Sequence, residues 1–123
     1  MNTMKNTLKV EFLWKEIELI LSVEEYTANK QIAILLYDAK SWEYYSDLSV
    51  YIVPFEDKTY MAVDTNNFSS WEMLIRNYDL GDFVTYIQSG FYTYPVYAMK
   101  LDELKKRDEN WVNKFIWSSD PVM

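Results

Sequence analysis

The chain has only two glycines, and both lie within residues 64–97, which also hold one of its three prolines. We therefore expect backbone geometry that other residues rarely adopt to be concentrated in this stretch. Gly90 separates two strand-like runs, 83–87 and 96–99, and predicts the turn of a hairpin. Pro95 has no N–H to offer a ladder, so it belongs at a strand start or a sheet edge.

A short helix is predicted at the centre of the same stretch, beginning after Phe68. Ser69 is the predicted cap, and Glu72 lies three residues later, where it can bond back to the Ser69 amide. Apolar residues follow at helical spacing as far as Tyr78, which gives the helix one face for a core. Gly81 lies where a left-handed residue would end the helix.

Alternation of apolar and polar residues dominates the N-terminal part of the chain. It runs through 8–14 and 16–23 on either side of Lys15, which predicts two strands joined by a tight turn. The turn contains neither glycine nor asparagine, so a helix through 8–25 is the alternative.

Further strand-like runs follow at 31–37, 42–53 and 59–63. Short strands in succession predict an antiparallel meander, because parallel pairs would need long crossovers. The strands near Gly90 are expected to extend or cap that sheet. At 123 residues the chain is one domain. We predict an α+β fold, with the short central helix packed on the sheet and a helix at the C-terminus.

The C-terminal helix is predicted to begin at Leu101 and to run on to Trp117, with 109–123 as a helical extension. Its alternating charges are typical of a solvated face. The aromatic residues Trp111, Phe115 and Trp117 are expected to pack in the core; an exposed docking element is the alternative.

The composition excludes many chemistries, because the chain has no histidine and no cysteine. Zinc sites of the Cys/His kind, triads with an imidazole base and thiol nucleophiles cannot be built from it. No glycine-rich phosphate loop is present either. We therefore predict a protein that is not an enzyme and holds no cofactor. No signal peptide or membrane span is recognisable, so a cytoplasmic location is expected.

The net charge of −7 is unevenly distributed. Residues 37–99 carry nine acidic groups against Lys40, Lys58 and Arg76. A nucleic-acid binder normally shows the opposite sign, because phosphate contacts need lysine and arginine. Direct binding to nucleic acid is therefore disfavoured.

Residues 64–67, with the sequence Asp-Thr-Asn-Asn, precede the predicted helix. One carboxylate and two amides offer oxygen ligands that a calcium ion can use. The favoured interpretation is a turn in which these side chains bond their own backbone, since a calcium loop has more carboxylates and a glycine.

Several short motifs carry a family resemblance: Asp64-Thr65-Asn66-Asn67, Leu80-Gly81, Ser89-Gly90-Phe91 and Tyr94-Pro95-x-Tyr97. Across about residues 16–108 the chain resembles a small family of uncharacterised proteins found on phages, plasmids and conjugative elements of Gram-positive gut bacteria and their relatives. The resemblance implies a compact domain of strands followed by a helix and a final hairpin. It also implies an accessory protein of a mobile element, and it carries over no catalytic residue.

Charge and resemblance together suggest an inhibitor that occupies the basic nucleic-acid groove of a host protein, such as a restriction enzyme or an RNA-guided nuclease. Carboxylates would stand in for phosphates, with aromatic residues between them. Reversing the charges of Glu56 and Asp57 should then weaken binding. The candidate partner-binding residues are Asp38, Glu43, Asp47, Glu56, Asp57, Asp64, Asp79 and Asp82, with Trp42, Tyr44, Tyr45 and Tyr51. The competing interpretation is an acidic surface that serves only solubility.

Two other functions are compatible with the residues. A small-ligand or peptide binder would use a tyrosine-rich pocket between sheet and helix, lined by Tyr86, Tyr92, Tyr94 and Tyr97. An enzyme would use paired carboxylates such as Asp47 and Asp64, which must face each other across a cleft.

Overall fold

The computed structural model describes residues 7–27, 30–52 and 55–118, with the side chains of all of these except 110 and 115–118. Within these residues, two four-stranded antiparallel sheets and three helices confirm the α+β class. The elements, in chain order, are β1 (Leu8–Phe12), β2 (Lys15–Glu25), β3 (Ile32–Asp38), β4 (Tyr44–Asp47), β5 (Ser49–Val50), β6 (Tyr60–Val63), α1 (Trp71–Asn77), β7 (Gly81–Ser89), β8 (Tyr92–Met99), α2 (Leu101–Lys105) and α3 (Glu109–Ser118).

The first sheet is the predicted meander, with strand order β1-β2-β3-β4. The tight N-terminal hairpin is confirmed, because Phe12 pairs with Lys15 and only Leu13 and Trp14 lie between them. These two residues have φ values of 52° and 69°, as a two-residue hairpin turn requires. The inward members of the alternating strands are buried: Leu8, Val10, Leu19, Leu21 and Val23.

The later strands do not extend this sheet, contrary to expectation. They form a second sheet in the order β5-β6-β8-β7. The change of sheet occurs at Leu48, which divides the predicted 42–53 strand into β4 and β5; position 53 lies outside the described residues. Leu48 is fully buried, its N–H donates to the Ile34 carbonyl at 2.9 Å, and its carbonyl accepts from the Asp64 N–H at 2.9 Å. One buried residue thus links both sheets.

The predicted capping of α1 was wrong. The N-cap is Ser70, not Ser69, and no side chain makes a capping hydrogen bond. The Ser70 hydroxyl donates instead to the Glu11 carbonyl at 3.1 Å. Glu72 does not reach back to Ser69 but pairs with Arg76 one turn later, at 3.6 Å. The local sequence pattern therefore predicted where the helix lies, but the Ser70 hydroxyl bonds to β1 and does not cap the helix.

Gly81 does not end α1, so that prediction was also wrong. It begins β7, and Asp79 is the residue with positive φ, 53°, after the helix. A Cβ atom on Gly81 would lie 2.9 Å from the Ala98 carbonyl oxygen and 2.9 Å from the Met99 sulfur. Glycine is required here because two strands approach closely.

The hairpin around Gly90 is confirmed, since Gly90 has a φ of 64° in the turn between β7 and β8. Pro95 lies within β8, opposite Tyr86 of β7. On its other side, β8 pairs with β6 only from Val96 to Ala98. The stretch around Pro95 therefore has one neighbouring strand only, as expected for a residue without an N–H.

The C-terminal helix is interrupted between α2 and α3. The Asp108 carboxylate accepts the Trp111 N–H at 3.4 Å and the Val23 N–H at 3.0 Å, so it fixes the start of α3 against β2. Burial of this carboxyl raises the pKa of Asp108, against the lowering effect of those two bonds. Leu104 and Val112 are buried, whereas Trp111 is exposed; the side chains of Phe115 and Trp117 lie outside the described residues.

Candidate partner-binding surface

The turn between β3 and β4 is held by Asp38. Its carboxylate accepts the N–H groups of Lys40 and Ser41 at 2.8 and 3.0 Å. Its main chain is bonded across the turn to Trp42 and Glu43, both at 2.8 Å. The N–H groups of Ser41 and then of Lys40 hold the pKa of Asp38 below its usual range. The carboxylate is therefore both charged and fixed in position.

Three aromatic residues follow within the same segment. Trp42 has a φ of 65° and is 62% exposed, so its ring projects from the turn. The Tyr44 ring contacts the Tyr37 ring edge-on at 6.3 Å, and the Tyr45 ring contacts the Phe68 ring at 6.1 Å. We refer to residues 38–47, with the carboxylates of Asp38, Glu43 and Asp47 and these three aromatic rings, as the 38–47 surface.

Asp47 and Tyr44 form a hydrogen-bonded pair, in which the phenol donates to Asp47 Oδ1 at 2.9 Å. Burial, this hydrogen bond and the charges of Asp47 and Asp64 together raise the pKa of Tyr44 to about 12. Burial is the largest of these causes, and the hydrogen bond to Asp47 comes next.

The raised pKa of Tyr44 gives a pH-dependent signal. The folded chain keeps the phenolic proton between the ordinary pKa of 10.0 and the shifted value of about 12. The stabilisation is therefore complete below pH 10 and is lost as the pH rises through that window. Phenolate absorbance is titrated for the unmodified chain and for the Tyr44→Phe variant, and the second curve is subtracted from the first. The difference should show one ionisation, with its midpoint near pH 12. Asp47→Asn should lower that midpoint; a midpoint at the ordinary value in the folded, unmodified chain would contradict the assignment.

Asp64 is buried at the end of β6 and is not on the 38–47 surface. One carboxylate oxygen accepts the N–H groups of Asn66 and Asn67 at 3.3 and 3.2 Å, and the other accepts the Asn67 amide at 2.7 Å. The predicted backbone-bonding turn is confirmed. Among the described residues, no group of three or more His, Cys, Asp or Glu side chains could hold a metal ion.

The other candidate carboxylates lie in different parts of the fold. Glu56 and Asp57 are exposed in the loop before β6, where Asp57 accepts the N–H and hydroxyl of Thr59. Asp79 and Asp82 follow α1, and both are within ion-pair distance of Lys100, at 2.7 and 3.5 Å. The structure therefore divides the predicted set, and the 38–47 surface holds the largest group of candidates that are neighbours in the chain.

The four tyrosines of the predicted pocket are also divided. Tyr97 and Tyr86 contact the same ring, Phe83, at 5.8 and 4.9 Å. Tyr92 and Tyr94 contact each other at 6.2 Å, and strand alternation turns them to the other face of β8. Tyr86 and Tyr92 are exposed.

A cleft that the sequence did not predict lies between α3 and the first sheet. Its volume is about 360 Å³, and it is lined by Ile20, Leu21, Ser22, Tyr37, Trp42, Arg107, Asp108 and Trp111. The Arg107 guanidinium lies over the Tyr78 ring at 4.9 Å from its centre. No local pattern could have revealed this cleft, because it forms where distant segments meet.

Comparison with known proteins gives a family but no activity. The family described as a domain of unknown function, DUF4313, matches residues 20–118. No curated protein and no solved structure matches the chain. Within the part of the chain that the structure describes, no helix is both long and apolar enough to cross a membrane.

Proposed function

We propose that this chain, which belongs to the DUF4313 family and therefore to a domain of unknown function, is a small acidic binding protein without catalytic activity. Its 38–47 surface occupies a basic, nucleic-acid-binding groove on another protein. The partner is a host defence nuclease, of the restriction or RNA-guided class, and the chain serves a phage or another mobile element in the cytoplasm of a bacterial host.

One observation supports the proposal above the others: a fixed turn presents charge and aromatic area together. Asp38, Glu43 and Asp47 lie in one ten-residue segment with Trp42 and two tyrosines, and the segment has Lys40 as its only basic residue. Carboxylates complement the lysines and arginines of a groove that binds phosphates. Exposed aromatic residues supply the apolar contact area that interfaces concentrate at their centres.

Retention from host lysate at low and at high salt tests the proposal. Tagged protein should retain a nuclease at low salt and release it at high salt, because charge steering is screened by ions. Duplex DNA should displace the same nuclease, and the chain should inhibit its cleavage stoichiometrically. A retained nuclease that neither salt nor DNA displaces would contradict the mimicry of nucleic acid.

A second candidate, a small-ligand or peptide binder, is favoured by the cleft beside α3. Its aromatic wall includes Tyr37, Trp42 and Trp111, and Arg107 provides a positive charge. Such a wall suits a planar ligand, and the guanidinium suits an anionic group on that ligand. If no host protein is retained at either salt concentration, this cleft becomes the better explanation of the exposed aromatic residues.

A further inference from the structure

The first sheet has its long edges covered by groups from the helices. Along β1, the Lys9 N–H donates to the Tyr78 hydroxyl at 2.7 Å, and the Ser70 hydroxyl donates to the Glu11 carbonyl at 3.1 Å. β2 extends beyond its pairing with Leu8, the first residue of β1, and there the Asp108 carboxylate accepts the Val23 N–H at 3.0 Å. Such contacts occupy backbone groups that would otherwise pair with another chain.

The two short edges need less protection. β4 has four residues, one of them the charged Asp47, and β5 has two residues. Short edge strands and edge charges both discourage pairing with another chain. They also leave little ladder for a partner to extend.

β7 is different, because it is a nine-residue edge strand that pairs with β8 along its length. Within the described residues, no other strand pairs with β7, and no hydrogen bond from a helix covers its outer edge. A bulge interrupts the ladder between Phe83 and Thr85, so the regular part of the edge is Thr85–Ser89. This part has no charged residue.

The only charged side chain on β7 is Asp82, at its start. The Lys100 ammonium lies 3.5 Å from this carboxylate, so the charge is partly balanced within the chain. The outer edge of β7 is thus locally close to neutral on a molecule with a net charge of −7.

We propose that β7 pairs antiparallel with β7 of a second copy of this chain, about a two-fold axis at Ile87. The pairing joins the two second sheets into one of eight strands, by the strand addition that many proteins use at open sheet edges. In this register Ile87 faces Ile87 of the other copy, and Thr85 faces Ser89. The same surface serves both copies, as a two-fold interface requires.

The charge distribution favours a second copy in this orientation. Antiparallel pairing about Ile87 separates the two Asp82 side chains by roughly ten strand positions, or about 30 Å. That distance exceeds the screening length of about 8 Å at physiological salt. A parallel pairing would instead bring the two carboxylates together. The β7 edge can therefore meet its own copy despite the overall negative charge.

Sedimentation equilibrium of the full chain tests the pairing. The unmodified chain should form a dimer, and hydrogen exchange at the β7 amides should slow as the concentration rises. A chain that is monomeric at every concentration would overturn the proposal. A dimer whose β7 amides exchange as fast as those of the monomer would overturn it as well.

A charge-swap experiment tests the register. Ile87→Lys or Ile87→Asp alone places like charges directly opposite each other, which destabilises a strand pair. Each should raise the dissociation constant at least tenfold, whereas an equimolar mixture of the two should restore association by forming the mixed dimer. Dimers unchanged by either substitution, or weakened dimers that mixing does not restore, would show that β7 is not paired in this way.

Two further variants separate pairing from folding. Ile87 is half-buried, so if its variants fail to fold by circular dichroism, Tyr86→Lys takes their place. Tyr86 is 65% exposed, and this variant should also raise the dissociation constant at least tenfold. Trp14→Lys is the matched control, because it changes an exposed aromatic residue in the turn between β1 and β2, far along the chain from β7. It should leave dimer formation unchanged, and equal weakening by Tyr86→Lys and Trp14→Lys would contradict the proposal.

Discussion

A chain carrying both Glu43→Lys and Asp47→Lys is expected to bind its partner at least about 100-fold more weakly than the unmodified chain. The two substitutions place positive charges where the 38–47 surface would meet a basic groove, and like charges juxtaposed at an interface cost several kcal/mol. A 100-fold loss corresponds to about 2.8 kcal/mol, which lies within that range. The measurement is the dissociation constant for the nuclease retained by the chain, at fixed salt.

The control for this prediction carries the same change of net charge elsewhere. Glu11→Lys with Glu16→Lys alters two exposed carboxylates that face each other across β1 and β2 and are not among the candidate residues, and it should weaken binding little. Reversal of Glu56 and Asp57 is expected to give an intermediate loss, since these residues would contribute mainly to steering. Equal losses in all three double variants would show that net charge matters and that the 38–47 surface does not.

The elements that could be predicted from the sequence are those fixed by neighbours in the chain. Alternation around Lys15 gave the first hairpin, Gly90 gave the last one, and the apolar spacing after Phe68 gave α1. The backbone-bonding turn at Asp64 was likewise predicted, because its partners are two and three residues away.

The features that escaped prediction depend on distant contacts. The division into two sheets rests on Leu48, whose backbone bonds Ile34 on one side and Asp64 on the other. The Ser70 hydroxyl serves the edge of β1 and not its own helix, and the break before α3 depends on Asp108 meeting β2. None of these residues has a local pattern that identifies its partner.

The candidate surface shows the same division. The carboxylates and rings of the 38–47 surface were among the predicted candidates because charge and residue type identify them, but the sequence did not separate them from Glu56, Asp57, Asp79 and Asp82. The cleft that shares Trp42 with Trp111 could not be predicted, since almost seventy residues separate the two side chains in the chain. Likewise, the sequence identified 83–87 as strand-like, but only the strand order of the structure shows that β7 is an edge strand with no second neighbour among the described residues.

The double substitution Leu13→Asn with Trp14→Gly is expected to stabilise the fold by about 1 to 2 kcal/mol. Both residues now have left-handed backbone, with φ values of 52° and 69°, although neither is a residue type that adopts it easily. Asparagine and glycine are the residues preferred in this two-residue turn. The entropy that glycine loses on folding offsets about 0.5 to 1 kcal/mol of the relief.

Thermal and denaturant unfolding measure this effect, and a single substitution separates its cause. Trp14→Ala removes the ring but keeps the left-handed conformation at a non-glycine residue. Because the ring is fully exposed at 102%, it contributes little to the core, and we expect the free energy of unfolding to change by less than about 0.5 kcal/mol. If the Asn-Gly chain has no higher melting temperature or denaturant midpoint than the unmodified chain, the turn is not strained. If Trp14→Ala alone stabilises as much, the exposed ring is the cause and the backbone is not.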